Sequence, residues 1–210
     1  MRRLPVYLVL DTSGSMSGDP IEAVRNGLQV LVSSLRQNPY AQETAYLSVI
    51  TFDSNASQIV PLTELPSFQI PSINASGGTS LGAALKLVAN KINTEVKKST
   101  AEVKGDWKPL VFIMTDGEPT DNMQVGLAEF KKCKTGIVVA CAAGTAANQI
   151  VLRQITEIVV SLDTADTARI SAFFKWVSAS IGVSSQKVDN GKEVGGLDEL
   201  PPPPPEITIV

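Results

Sequence analysis

The chain has 210 residues, 43% of them apolar, which suits one domain of ordinary size with a short extension. Its 18 basic and 21 acidic residues leave a net charge of −3, a balance that gives no support to nucleic-acid binding. Histidine is absent, so Ser-His-Asp and Cys-His catalysis and the usual zinc centres are excluded, and Cys133 and Cys141, without C-x-x-C spacing, read as reduced packing residues.

In chain order, Met1-Arg2-Arg3-Leu4-Pro5 followed by apolar residues 6–10 has the outline of a signal peptide, but Asp11 ends the run far short of one. No other run approaches the roughly 20 apolar residues that cross a bilayer, so the expectation is a soluble cytoplasmic protein without membrane insertion. Residues 6–10, 110–114, 137–143 and 157–162 are near-continuous apolar runs, the pattern of strands buried on both faces. The spacing predicts a first helix from Asp19-Pro20 to Asn38-Pro39, with Ile21, Val24, Leu28, Leu31, Val32 and Leu35 on one face. Residues 45–53 form a second strand, and 58–63, carrying Pro61, suit a sheet edge because proline cannot donate to a central ladder. Further helices are predicted over 81–96, 123–133, 148–156 and 166–181. The alternation reads as α/β, a Rossmann-like doubly wound sheet with helices on both faces.

From Val183 the pattern lapses. Residues 183–210 are expected to form a Gly/Pro-rich acidic C-terminal tail beside a body at 1–182, and this tail carries all of the net negative charge. Prolines 201–205 make a polyproline II spacer, and the β-prone residues 206–210 are disordered alone but suited to add to a sheet edge of this chain or of a neighbour.

The chemistry concentrates where strands end. Asp11-Thr12-Ser13-Gly14-Ser15 follows the first strand, Gly77-Gly78-Thr79-Ser80 precedes a helix, and Thr115-Asp116-Gly117 ends the fourth strand. Hard oxygen donors of this kind suit Mg²⁺, Mn²⁺ or Ca²⁺. Ligands of open α/β sheets gather beyond the carboxyl ends of the strands where strand order reverses, and Asp11 and Asp116 stand there.

D-x-S-x-S, a later Thr and a later Asp in this order resemble the von Willebrand factor A domains and their metal ion-dependent adhesion site, over roughly residues 4–182. The resemblance implies a mostly parallel six-stranded sheet in the order 3-2-1-4-5-6, its third strand an antiparallel edge. It implies that Ser13, Ser15 and Thr79 coordinate the ion, Mg²⁺ or Mn²⁺ with Ca²⁺ an alternative, and that Asp11 and Asp116 bind directly or through water. It implies a protein-binding module rather than an enzyme, with a partner's Glu or Asp completing the metal shell. Thr51-Phe52-Asp53 and the short form look most like the bacterial tellurium-resistance TerY-type subgroup, which implies a stress or metal-resistance setting.

Against these stand blander readings. Asp53 reads as a surface turn before an acceptor near the site; Glu118 and Asp121 as a helix start; Trp107 and Trp176 as packing residues. Asp11-Thr12-Ser13-Gly14-Ser15 is also similar to the D-x-T-G-T nucleophile of haloacid dehalogenase-type aspartyl-phosphate phosphatases and ATPases, with Asp11 as nucleophile and Mg²⁺ as cofactor. Ser13 stands where the phosphatase pattern has a second Asp. A third reading leaves the metal site vestigial and the tail as the recruiting element.

Overall fold

Eight consecutive buried residues, Leu4–Asp11, form β1 in the middle of the sheet of a computed structural model that describes residues 2–210. The other strands are β2 (Ala45–Phe52), β3 (Ala56–Glu64), β4 (Leu110–Thr115), β5 (Val138–Ala143), β6 (Ile158–Leu162) and β7 (Thr208–Ile209). Their order is β3-β2-β1-β4-β5-β6-β7; β3 and β7 are antiparallel to their neighbours and the rest are parallel. The order through six strands is the expected one, and a seventh strand is added at the far edge.

The helices are α1 (Asp19–Arg36), α2 (Pro39–Thr44), α3 (Leu81–Glu95), α4 (Met123–Phe130), α5 (Gln149–Arg153) and α6 (Thr167–Asp189). Alternate β1 residues feed two cores. Val6, Leu8 and Leu10 pack with α1, α2 and α6, whereas Tyr7 and Val9 pack with α3, α4 and α5. Covering both faces is what lets a parallel strand be apolar at every position.

Two helix ends differ from expectation. The pair Asn38-Pro39 closes α1 but also opens α2: the Asn38 side chain accepts from the Ala41 amide (3.1 Å) and Pro39 occupies the first turn. Helix α6 runs on to Asp189, well past 181. Its later turns hide their packing face in small residues, since Ser180, Ser184 and Ser185 are buried beside Val188. An apolar count along the sequence does not register serine as core.

The segment after α6 is laid against the body. Val194, Leu200 and Ile207 are buried, the Trp176 indole donates to the Pro201 carbonyl (2.8 Å), and Lys187 pairs with Glu199 (3.5 Å). Thr208 and Ile209 then pair with Ser161 and Val160, and the Val210 amide donates to the Val159 carbonyl (2.9 Å). The strand addition takes place on this chain's own edge. Trp176 and Trp107 are both packed, and the two cysteines are free.

Candidate metal centre

The carboxyl ends of β1 and β4 lie side by side, paired through Leu10 and Met114, so Asp11 and Asp116 leave adjacent strands at the switch point. Asp11 is fixed from both sides. Its Oδ1 accepts from the Ser13 amide (2.8 Å) and its Oδ2 from the Thr115 hydroxyl (2.5 Å). The Ser13 and Ser15 hydroxyls are 3.0 Å apart, and Ser15 Oγ donates to Asp116 Oδ1 (2.7 Å). Four of the five expected residues thus form one hydrogen-bonded chain.

Thr79 is brought in by its backbone. Its amide donates to the Thr120 hydroxyl (3.0 Å), its carbonyl accepts from the Thr120 amide (2.9 Å), and its own hydroxyl lies 3.6 Å from where a Cβ on Gly117 would stand. The loop before it is stapled to the first by Ser76 N to Thr12 O (2.8 Å) and Gly14 N to Gly77 O (3.0 Å). Gly77 sits at φ +71°, and a Cβ there would meet Ser54 Oγ at 2.4 Å, so the turn needs glycine twice over.

Sequence reasoning missed Thr115, Ser54 and Thr120. Ser54 takes the Gly78 amide on its hydroxyl and the Ser80 hydroxyl on its carbonyl, both at 3.0 Å. None of these residues belongs to a recognisable spacing; only Thr115, beside Asp116, carries a local hint. Asp53 is a turn residue, its carboxylate accepting from the Asn55 amide (2.9 Å). Asp121 caps a helix other than the one it precedes: its two oxygens accept from the Gly82 and Ala83 amides at the start of α3 (3.0 and 2.8 Å), while Asn122 caps α4. Glu118 accepts from the Asn148 side chain (3.0 Å).

Asp11, Ser13, Thr79 and Asp116 are buried and Ser15 is exposed, so the set opens to solvent on one side. Burial pushes both carboxyls above the ordinary range; the hydrogen bonds pull back, and the Asp116 charge adds to the rise at Asp11. Among the described residues neither carboxylate has an ion-pair partner. No three His, Cys, Asp or Glu side chains cluster there either; the set is two carboxylates with three hydroxyls. Two under-compensated carboxylates among hydroxyls form a hard, oxygen-only donor set that fits a small divalent cation and suits neither thiolate- nor imidazole-seeking metals.

Residues 6–173 match the family model of the von Willebrand factor type A domain. An uncharacterized protein of Synechocystis is 34% identical over 124 residues, 56% of this chain and 26% of the relative. Among solved structures, a pilus adhesin of Lactobacillus rhamnosus GG superposes with a TM-score of 0.69 at 16% identity, over 88% of this chain and 30% of that one. Proximal thread matrix protein 1 of the mussel byssus, with a zinc-occupied MIDAS motif, superposes with a TM-score of 0.61 at 20% identity, over 85% and 48%. This chain spans about a quarter or less of the curated relatives it matches.

These matches correct the cytoplasmic expectation, because the similar folds belong to a pilus adhesin and a byssal thread matrix protein. That expectation rested on apolar runs too short for a leader or a span. Among the described residues no helix is long and apolar enough to cross a membrane.

Proposed function

The chain belongs to the von Willebrand factor type A domain family, a non-enzymatic protein-interaction module, and from that premise we propose that it binds its partner through a divalent cation held by Asp11, Ser13, Ser15, Thr79 and Asp116. The observation that carries this reading is the continuous chain from Asp11 through Ser13 and Ser15 to Asp116 at the ends of β1 and β4. When bound, Mg²⁺ or Mn²⁺ would offer an open coordination position to a Glu or Asp of the partner. The protein's part is orientation. Thr115 and the Ser13 amide fix the Asp11 carboxylate, Thr120 fixes the Thr79 turn, and exposed Ser15 forms the rim a partner reaches first. The zinc in the byssal protein's MIDAS motif supports the same use of the fold. One carboxylate contact cannot sustain an interface, so the surrounding loops must add area.

The finer setting, a bacterial tellurium-resistance or stress system, rests on the likeness around Thr51-Phe52-Asp53 alone. An aspartyl-phosphate mechanism is disfavoured because Ser13 stands where the phosphatase pattern carries its second Asp, so the carboxyl that would protonate the leaving group is missing. The test is a pull-down with Mg²⁺ and with EDTA, using the wild type and Asp116→Ala. A partner retained with Mg²⁺ and released by EDTA or the substitution is expected. Capture indifferent to both sinks the metal-mediated mode, and Mg²⁺-dependent phosphate release lost in Asp11→Asn sinks the binding-module reading altogether.

A further inference from the structure

At the opposite end of the sheet the chain gathers positive charge. A cleft of about 530 Å³ opens between the end of α3, residues 97–109 and the turn after α4. Lys97, Lys98, Lys108, Lys132 and Lys134 line it, all exposed, in a chain whose net charge is −3. Its lone carboxylate, Asp106, is already committed: the side chain is 4% exposed, bridges to Arg3 (2.5 Å) and accepts from the Lys97 amide (2.7 Å). Lys108 meets Glu193 (2.8 Å); among the described residues the other four lysines have no ion-pair partner.

The frame beneath the lysines is built. Asp106 N donates to Lys97 O (2.9 Å), Gly105 N to Ser99 Oγ (2.9 Å) and Trp107 N to Arg3 O (2.9 Å), while the Arg2 guanidinium lies 3.6 Å from the centre of the Trp107 ring. The loop is tied to Arg2 and Arg3, just before β1, so Lys97, Lys98 and Lys108 stand on a fastened rim beside an apolar floor that includes Ile92, Val96 and Pro109, with Lys132 and Lys134 on the other side.

We propose that this cleft is a second binding site, for an acidic segment of a protein partner carrying an apolar side chain between its carboxylates. Nucleic acid suits it less. The lining holds no arginine, and the Trp107 ring, 8% exposed and covered by Arg2, offers no face for base stacking. A long polyanion would also meet the negative remainder of the molecule, whereas a short segment within a Debye length of about 8–10 Å senses chiefly the lysines. A membrane surface cannot follow a concave rim to an apolar floor. From Arg3 to Asp11 the strand rises eight residues at about 3.3 Å each, so this site lies roughly 26 Å from the metal centre and is independent of it.

The probe is a fluorescein-labelled octapeptide of six glutamates and two leucines, followed by anisotropy at low salt in the presence of EDTA. Saturable binding is expected, weakened at least tenfold at 0.3 M salt and at least tenfold by the double substitution Lys132→Glu with Lys134→Glu. The milder pair Lys97→Gln with Lys98→Gln should weaken it severalfold, with both variants melting at the wild-type temperature. Failure to bind the peptide, binding indifferent to both substitutions, or tighter binding of a thymidine dodecamer or of phosphatidylserine vesicles overturns the proposal.

Discussion

Single side chains set the boundary conditions of this fold, and two of them lend themselves to measurement. Asp166 caps α6: its carboxylate accepts from the Thr164 hydroxyl, from the Arg169 amide (3.0 Å) and from the Arg169 guanidinium (2.8 Å). These contacts, the Thr164 hydroxyl foremost, push its pKa down to about 2. A depressed folded-state value means stability that is fully present above the unfolded value of about 3.9 and is lost as pH falls through about 2. The wild type should therefore lose more of its melting temperature between about pH 4 and pH 2 than Asp166→Asn, which keeps a cap but cannot titrate; parallel curves would remove Asp166 from the acid response. Gly77 is the second case. An alanine there must hold φ +71° and displace Ser54, so Gly77→Ala should cost about 1–3 kcal/mol by urea denaturation and weaken Mg²⁺ binding, because the same turn delivers Thr79. Wild-type stability would mean the turn relaxes freely.

Between elements, the contact of α3 with α4 bears most directly on the site. A Cβ on Gly126 would fall 2.0 Å from the Gly82 carbonyl, and Gly82 is where Asp121 caps α3. Overpacking of this kind costs about 1–3 kcal/mol, against which alanine regains up to about 1 kcal/mol of helix propensity. Gly126→Ala is expected to destabilise by about 1–2 kcal/mol and to lower metal affinity through the Thr120–Thr79 link, both readable from urea melts run with and without Mg²⁺. Loss of stability without any change in the metal response would uncouple the helix pair from the site. At this scale the strands were legible and the helix partners only partly so. Strands β1 and β4 announce themselves because every residue is buried and the run stops at a carboxylate, and the D-x-S-x-S spacing is local enough to survive without a structure. Thr115, Ser54 and Thr120 act on neighbours 24 to 104 positions away, a separation that leaves no spacing to detect. The far end of α6 stayed hidden for a different reason, its buried face being written in serine.

The whole molecule is a sheet with a different chemistry at each end and a strap along one edge. The strap, residues 190–210, is anchored by three well-separated buried apolar residues, Val194, Leu200 and Ile207; the edge addition of 206–210 was legible in its β-prone run, whereas Val194 and Leu200 follow no helical or strand period and gave no sign of docking. Removing residues 201–210 strips β7 from β6, exposes the site of Ile207 and leaves the Trp176 indole without the Pro201 carbonyl. A loss of about 2–3 kcal/mol, or roughly 5–10 °C, is expected, with metal binding intact because the five oxygen donors lie elsewhere. An unchanged melting temperature would mean that the strap adds no stability. The metal centre itself is tested most directly by titrating Mg²⁺ calorimetrically into the wild type, Asp11→Ala and Asp116→Ala. A saturable isotherm in the wild type, absent in both folded variants, is the predicted result; no wild-type isotherm with Mg²⁺ or Mn²⁺, or the same isotherm in all three proteins, would contradict the assignment.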